Sequence, residues 1–309
     1  MIHPNLKEYL PSYYFSTINT HAAYPKLEGR LKTETCVIGG GLTGLCTALP
    51  LAENGREVTV LEAARIGFGA SGRSGGQVIS DYACGMEEIE KQVGLEQARW
   101  FWQQSLQAVE LVDERVKKYQ IACDWQRGYA TVAIRPQHWE ELQQWHEHAR
   151  QHYGATHYQL WDKATLKQQL ASDMYLGAQF DPHSGHLHPL NYTLGIARAA
   201  AEAGAQIFEQ SPMTRIESYQ GNWLVHTPDG SIECQNLVYA VNTYAGLHQK
   251  FKPLEKKAIA VSTFIIATEP LGERAKELIR NNMAVCDNRH VLDYYRLSSD
   301  GRLLFGGKD

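Results

Sequence analysis

The feature that most constrains the fold of this chain is a glycine-rich turn between a short apolar strand and a helix. The strand is predicted over 35–38, the spaced glycines are Gly39, Gly41 and Gly44, and the helix follows over 43–54. Gly39 permits the tight turn, Gly41 lets backbone approach a pyrophosphate, and Gly44 lets the helix pack close to the strand. Because a helix N-terminus offers free amides and a positive dipole end, the turn predicts a dinucleotide-binding unit.

An acidic residue lies where such a unit holds a ribose. Glu62 follows the second predicted strand, 57–61, and lies eighteen residues after Gly44. A carboxylate at this point accepts hydrogen bonds from a ribose 2′-hydroxyl. The alternative is a purely structural glycine turn followed by a surface glutamate.

A second glycine-rich loop helps to decide whether the dinucleotide is FAD or a nicotinamide coenzyme. It spans 63–77, directly after Glu62, and is dense in glycine, serine and arginine. Such a loop suits backbone that wraps an extended anionic ligand. A nicotinamide dehydrogenase would more often proceed to its next strand. The sequence therefore favours FAD, with a flexible surface loop as the alternative.

Composition excludes several other classes of protein. The 309 residues carry a net charge of -4, so no broad positive field is available for a nucleic acid. The N-terminus lacks the pattern of a signal peptide, and no stretch approaches the roughly 18 apolar residues of a membrane helix. The six cysteines form no Cys-x-x-Cys pair, which favours free thiols in a reducing cytoplasm.

Apolar periodicity predicts the other elements. Helices are expected over 87–119, 137–153 and 190–203, and longer strands over 129–134 and 259–269. Shorter strands are expected over 206–209, 214–218, 223–227, 236–240, 292–297 and 302–305.

Two local features carry expectations of their own. Pro50 lies inside the first predicted helix, where it deletes a backbone hydrogen bond and predicts a kink or an early end. The first thirty residues are aromatic and loop-like, and they are expected to pack as a surface arm.

Further motifs follow the glycine turn in a fixed order and carry a resemblance. They are Gly39-x-Gly41-x-x-Gly44, Glu62-Ala63-x-Arg65, Gly67-x-Gly69-Ala70-Ser71-Gly72-Arg73-x-Gly75-Gly76, Gly185-His186-x-His188-Pro189, and Tyr294-Tyr295-Arg296 to Leu304-Phe305-Gly306-Gly307. From residue 12 to residue 307 the chain resembles the D-amino-acid oxidase/glycine oxidase superfamily of FAD-dependent amine oxidoreductases.

The resemblance implies an α/β fold in which a Rossmann-like FAD-binding domain is interleaved with an α+β substrate domain that has a mixed or antiparallel sheet. The FAD domain is expected over 33–90 and 185–250, and the substrate domain over 91–184 and 251–309. Members of the superfamily continue beyond the point that matches Gly307. The resemblance therefore also implies that a C-terminal part of the FAD domain is missing from this chain.

The resemblance implies FAD-dependent oxidation of an amine, a CH–NH or CH–NH2 donor, with gamma-glutamylputrescine as the expected substrate. The products would be an aldehyde, ammonia and, with dioxygen as electron acceptor, hydrogen peroxide. Three alternatives stay open: a glycine or sarcosine oxidase or dehydrogenase, a nicotinamide dehydrogenase, and a non-catalytic truncated flavoprotein.

The flavin contacts of the superfamily carry over onto nine positions. They are Gly39, Gly41, Gly44, Glu62, Arg65, Ala70, Ser71, Met213 and Ala240. Ala240 departs from the pattern, because the superfamily usually has a glycine in this segment.

Arg296 is the candidate for holding a substrate carboxylate, and Tyr294 is expected beside it. An arginine on the equivalent strand has this role in amino-acid oxidases of the superfamily, since a guanidinium makes two parallel bonds to a carboxylate. Residues two apart in a strand share a face. The alternative is a salt bridge of Arg296 with Asp293 or Asp300 within the hairpin.

Other polar and aromatic residues have less specific interpretations. His186 and His188 flank a single residue, but no third ligand is apparent, so hydrogen bonds that fix the fold are favoured and no metal is predicted. Tyr82 and Tyr129 could line a substrate pocket or fill the core.

Overall fold

The computed structural model describes most of the chain, which contains both helices and strands. The described residues are 9–19, 23–247, 257, 261 and 263–307. The helices are α1 Tyr13–Ser16, α2 Leu42–Glu53, α3 Met86–Lys118, α4 Pro136–Tyr153, α5 Lys163–Gln169, α6 Pro189–Glu202 and α7 Glu273–Leu278. The strands are β1 Gly29–Ile38, β2 Val58–Leu61, β3 Gln77–Val78, β4 Gln126–Ala133, β5 Gln159–Asp162, β6 Gly177–His186, β7 Gln206–Phe208, β8 Arg215–Tyr219, β9 Asn222–His226, β10 Gly230–Tyr239, β11 Phe264–Ala267, β12 Ala284–Asp287, β13 Tyr294–Leu297 and β14 Leu303–Gly307.

The chain divides into two compact units that interleave along the sequence. The first unit comprises Met1–Ser74, Tyr119–Ala122 and Pro189–Val261. The second comprises Gly75–Lys118, Cys123–His188 and Ser262–Asp309.

The first unit is built on a six-stranded sheet in the order β7-β2-β1-β10-β9-β8. Strand β1 is central, and it pairs in parallel with both β2 and β10. Its last four residues, 35–38, are all buried, as a parallel strand covered on both faces requires. This explains the apolar run that ends at the glycine turn.

Helix α2 begins at Leu42 and ends at Glu53, and it contains Pro50. The early end, one of the two predicted effects of Pro50, is not observed, because the helix continues for three residues beyond it; the kink stays a prediction. The carbonyl of Pro50 accepts a hydrogen bond from the amide of Asn54 at 3.2 Å. The end of the helix that carries the glycines is unaffected.

The second unit is built on an eight-stranded mixed sheet. The order is β11-β14-β13-β12-β4-β6-β3, and β5 pairs with β6 off this path. One face packs with α5 and α7 in a core that includes Val132, Leu166, Ile279, Tyr295 and Leu297. The mixed α/β architecture confirms the predicted fold class.

The opposite face of this sheet carries a row of directly paired residues. Gly306 pairs with Tyr294, Tyr294 with Cys286, Cys286 with Thr131, and Thr131 with Gln179. Paired residues on neighbouring strands project from the same face. Polar side chains on this face are thus brought together from β4, β6, β12 and β13.

Most of the predicted elements are present with small shifts of their bounds. The long strand predicted over 259–269 is shorter in the structure, where the strand is Phe264–Ala267. Residues 258–260 and 262 lie outside the described residues. The predicted surface arm stays a prediction; where this segment is described, Tyr9 and Tyr14 are buried, while Leu10, Pro11 and Ser16 are exposed. Within the described part of the chain, no helix is long and apolar enough to cross a membrane.

Candidate functional site

The glycine turn of the first unit leaves no room for side chains at two positions. At Gly39, φ is +112° and an added Cβ would lie 2.3 Å from the carbonyl oxygen of Ala240. At Gly44, an added Cβ would lie 2.0 Å from the carbonyl oxygen of Gly39. Both distances are far below van der Waals contact, and both neighbours are backbone. Close packing of α2 on the ends of β1 and β10 therefore requires these glycines.

The second glycine-rich loop folds back onto the first turn of α2. Gly41 is the N-cap of this helix and has no side chain to cap it. The amide of Leu42 donates to Ser71 Oγ at 3.0 Å, and an added Cβ on Gly41 would lie 2.9 Å from the same oxygen. Ala70, Ser71 and Gly72 form a 3-10 turn at this point. The loop thus lies against the helix end where a pyrophosphate is expected.

Glu62 joins the glycine turn to the end of β2. Its carboxylate accepts from the amide of Gly40 at 2.7 Å and from the amide of Ala64 at 2.8 Å. Burial raises the pKa of this carboxyl, and the two backbone donors oppose that shift. Each carboxylate oxygen can accept more than one hydrogen bond, so these contacts leave capacity for a ribose hydroxyl.

Arg65 is held by a buried carboxylate of the same unit. Its Nη1 lies 2.9 Å from Glu209 Oε2, and the other oxygen of Glu209 accepts from the amide of Ile66 at 2.8 Å. Glu209 has no exposed surface. This pair fixes the loop after Glu62, and a contact of Arg65 with the flavin nucleotide stays a prediction.

The residues present in the first unit fit FAD. A helix N-terminus whose N-cap residue is glycine, glycines at the points of closest approach and a carboxylate at the end of β2 supply the chemistry that a dinucleotide pyrophosphate and ribose require. All nine predicted contact positions lie in this unit, including Met213 beside the core and Ala240 at the end of β10. Their individual contacts to FAD stay predictions.

Arg296 is almost fully buried in the second unit, with 3% of its surface exposed. Its Nε donates to the carbonyl of Gly75 at 2.7 Å, and Nη1 donates to the carbonyl of Leu297 at 3.2 Å. The carboxylates considered as alternative partners have other cations, since Asp293 pairs with Arg289 and Asp300 with Arg302. Arg296 is therefore anchored to backbone on the strand where a carboxylate site was predicted.

Tyr294 lies two residues before Arg296, and its ring is packed against glycines. An added Cβ on Gly306 would lie 2.3 Å from the Cζ of Tyr294, and one on Gly75 would lie 2.7 Å from its Cε2. The absence of side chains at Gly75 and Gly306 makes room for this ring. Gly75 thus bears on both candidate residues, since its carbonyl accepts from Arg296 and its lack of a side chain leaves space for the ring of Tyr294.

His186 and His188 are buried near Arg296. Burial and then the charge of Arg296 lower the pKa of each imidazole to about 4. His186 Nε2 lies 2.8 Å from the carbonyl oxygen of Asn282, so this nitrogen must carry the proton and donate it. Both rings are therefore neutral near pH 7.

The lowered pKa values predict a loss of stability in acid. An unfolded histidine has a pKa near 6.5, so between about pH 6.5 and pH 4 the unfolded chain binds more protons than the native chain. Stability that is present above pH 6.5 is lost as the pH falls through this window. We expect urea denaturation at pH 4.5 and pH 7 to show a decrease of about 2 kcal/mol from His186 alone.

His186→Gln provides the control for this prediction. Glutamine keeps an N–H donor for the carbonyl of Asn282 but does not titrate. The decrease in the free energy of unfolding between pH 7 and pH 4.5 should be about 2 kcal/mol smaller in the variant. Equal decreases in both proteins would show that His186 is not the group responsible.

A cavity of about 310 Å³ lies within the second unit. It is formed by the sheet face that carries Tyr294, by α3 and α4, and by the segment 79–85. Its lining includes Trp102, Trp145, Tyr129, Gln179 and Asp181. Of the two tyrosines considered as pocket residues, Tyr129 lines the cavity. The other residues were missed by sequence reasoning.

The observed geometry agrees with the result of sequence comparison. Residues 34–309 match the DAO family, described as FAD dependent oxidoreductase. This chain belongs to the DAO family. It is therefore an FAD-dependent oxidoreductase, and the enzymes of the DAO family act on amines or amino acids.

Two curated relatives align with nearly all of the chain. It is 46% identical over 303 residues to the probable oxidoreductase OrdL of Haemophilus influenzae, covering 97% of this chain and 70% of the relative. It is 39% identical over 304 residues to the gamma-glutamylputrescine oxidoreductase of Escherichia coli, covering 98% of this chain and 70% of the relative.

Solved structures of DAO-like enzymes share the fold. The glycine oxidase of Geobacillus kaustophilus superimposes with a TM-score of 0.70 at 18% identity, over 90% of this chain and 71% of that one. The L-proline dehydrogenase of P. horikoshii gives a TM-score of 0.71 at 22% identity, over 91% and 71% of the two chains. At these identities the likeness establishes the fold alone.

Proposed function

We propose that this FAD-dependent oxidoreductase oxidises gamma-glutamylputrescine to an aldehyde with release of ammonia. The observation that carries the proposal is the 39% identity, over 98% of the chain, to a gamma-glutamylputrescine oxidoreductase. The proposed electron acceptor is dioxygen, which would yield hydrogen peroxide. The proposed location is the cytoplasm.

The roles of the two units follow from their residues. We assign FAD binding to the first unit, where α2 and Glu62 supply the expected contacts. When bound, FAD accepts the two electrons that leave the substrate carbon bearing the amine. Substrate binding is assigned to the second unit, and the predicted domain bounds, 33–90 with 185–250 and 91–184 with 251–309, stay proposals of the same kind.

Within the second unit, Arg296 is proposed to orient the carboxylate of the substrate. A guanidinium is planar and always charged, and it binds a carboxylate through two parallel hydrogen bonds. The bond from Nε to the carbonyl of Gly75 fixes the plane of the group. Tyr294 would offer a ring face to the cationic arm of the substrate. Since water can remove the amine proton, no general base is assigned.

A substrate panel tests the proposal. The FAD-loaded protein is assayed for peroxide release with gamma-glutamylputrescine, free putrescine, glycine and sarcosine at equal concentrations. We expect gamma-glutamylputrescine to give the highest kcat/KM, because it alone combines a primary alkylamine with a distant carboxylate. The same reactions followed by reduction of an artificial electron acceptor distinguish an oxidase from a dehydrogenase.

Two results of this panel would change the proposal. Equal turnover of free putrescine would remove the argument that a carboxylate is recognised. If only glycine or sarcosine is turned over, the assignment to the family stands, and the proposed substrate changes to an amino acid.

A further inference from the structure

The cavity of the second unit is rich in carboxylates and aromatic rings. Asp81, Glu87 and Asp181 contribute carboxylates to its lining. Among the described residues that line it there is no lysine, arginine or histidine. The described lining therefore contains acidic side chains and no basic side chain that could balance their charge.

Asp181 is the buried carboxylate of this group. Its Oδ2 accepts from Ser184 Oγ at 2.5 Å and from Ser80 Oγ at 3.3 Å, and its Oδ1 accepts from the amide of His183 at 2.8 Å. These donors are neutral, so they orient the carboxylate without cancelling its charge. A buried carboxylate held in this way favours a cation beside it.

One basic group lies close to this carboxylate: His157 Nε2 is 3.8 Å from Asp181 Oδ1. Burial lowers the pKa of this imidazole, while Asp181 acts in the opposite direction and His183 lowers it further. His157 is therefore largely neutral near pH 7. It therefore adds little positive charge beside Asp181, and the described lining of the cavity supplies none.

Unlike the oxygens of Asp181, two polar atoms of the cavity lining are buried without a hydrogen-bond partner in the described structure. They are Gln179 Oε1 and Trp102 Nε1, on residues that are only 7% and 1% exposed. An unpaired buried polar group is costly, and native proteins retain few of them. A ligand that donates a hydrogen bond to Gln179 Oε1 would satisfy the first of these two atoms.

We propose that this cavity is a binding subsite for the ammonium group of an alkylamine, formed by Asp181, Gln179 and the surrounding aromatic rings. The proposal rests on the proposed function, since it states how the second unit recognises an amine substrate. An ammonium donates three hydrogen bonds, which suit Asp181 and the free oxygen of Gln179. Trp145 and Tyr129 add aromatic rings to the lining, and the faces of such rings attract cations.

Calorimetric binding to the FAD-loaded protein without dioxygen tests the subsite. The probe is n-butylammonium, and 1-butanol is its neutral counterpart of similar size. The expected result is saturable binding of n-butylammonium and at least about tenfold weaker binding of 1-butanol, as loss of a charged hydrogen-bond partner implies. The visible flavin spectrum, recorded in parallel, reports whether the probe is also oxidised.

Three variants assign the binding to the cavity. Asp181→Asn removes the charge, and Gln179→Leu removes the acceptor oxygen at nearly constant volume. Each should weaken n-butylammonium binding by about tenfold or more. Asp173→Asn is the matched control, because Asp173 lies in the same unit, outside the cavity lining and 80% exposed at its side chain, and its affinity should be unchanged.

The thermal midpoint of Gln179→Leu distinguishes a role of Gln179 in ligand binding from a role in stabilising the fold. Since Gln179 Oε1 has no partner in the described structure, Gln179→Leu should leave the thermal midpoint unchanged or raise it. A lowered midpoint with unchanged n-butylammonium affinity would overturn the subsite. If the probe binds in this way but no amine is oxidised, the subsite stands and the proposed function fails.

Discussion

Gly44→Ala is expected to abolish FAD binding. The added Cβ would lie 2.0 Å from the carbonyl oxygen of Gly39, and this neighbour is backbone that a small side-chain movement cannot relieve. Helix α2 would have to move away from β1, and its N-terminal amides would leave the position where they are proposed to bind the pyrophosphate. Overpacking of this kind costs about 1–3 kcal/mol or more in stability.

The measurements are the ratio of flavin to protein after purification and the thermal midpoint. Thr47→Ala is the control on the same helix, since its hydroxyl donates within the helix to the carbonyl of Thr43 at 2.8 Å. The control should keep full flavin content and change stability by less than about 0.5 kcal/mol. Full FAD occupancy in Gly44→Ala would contradict the assignment of the pyrophosphate site to this turn.

Arg296→Ala is expected to lower kcat/KM for gamma-glutamylputrescine by about 30-fold or more. Removing the partner of a buried, hydrogen-bonded charge costs about 2–5 kcal/mol, and each 1.4 kcal/mol is about a factor of ten. Arg296→Lys should also be impaired, because an ammonium cannot reproduce the planar fork. The flavin content should stay close to that of the unaltered protein in both variants.

A structural role of Arg296 makes a different prediction. Its bonds to the carbonyls of Gly75 and Leu297 would then show as lost thermal stability with a normal KM for every substrate. Arg150→Ala is the control, since Arg150 is exposed on α4 and pairs with Glu147 within that helix. A normal KM in Arg296→Ala and Arg296→Lys would exclude the carboxylate role.

The glycine turn of the first unit could be predicted from sequence because its constraints are local. The spacing of Gly39, Gly41 and Gly44 reflects contacts between adjacent elements of one strand–turn–helix segment, and the unfavourable distances at Gly39 and Gly44 bear this out. The family follows from motifs that extend along the whole chain. The fold class, the FAD dependence and most helices were therefore accessible without a structure.

The cavity could not be predicted because it depends on pairing between distant segments. Thr131 and Gln179 become neighbours only through the register of β4 and β6, and Trp102 reaches them from α3. One signal was present, since Gln179 and Asp181 alternate with Ala178 and Phe180 in a buried strand. That alternation marks a polar face, but it does not reveal what faces it.

Pro50 was expected to kink or end α2, because it deletes a backbone hydrogen bond. In the structure α2 continues to Glu53, so this local signal did not set the end of the helix. The contact that holds the aromatic N-terminal segment could not be predicted either, since the Tyr9 hydroxyl donates to the carbonyl of Ile66, a residue distant in sequence, at 2.6 Å.

Reduction of the bound flavin by an amine is the most direct test of this account. The FAD-loaded protein is mixed with gamma-glutamylputrescine in the absence of dioxygen, and the visible flavin absorbance is recorded. We expect the oxidised flavin bands to bleach to completion and to return when dioxygen is admitted. Bands that persist with every amine tested, but bleach with a reduced nicotinamide coenzyme, would contradict an amine oxidoreductase.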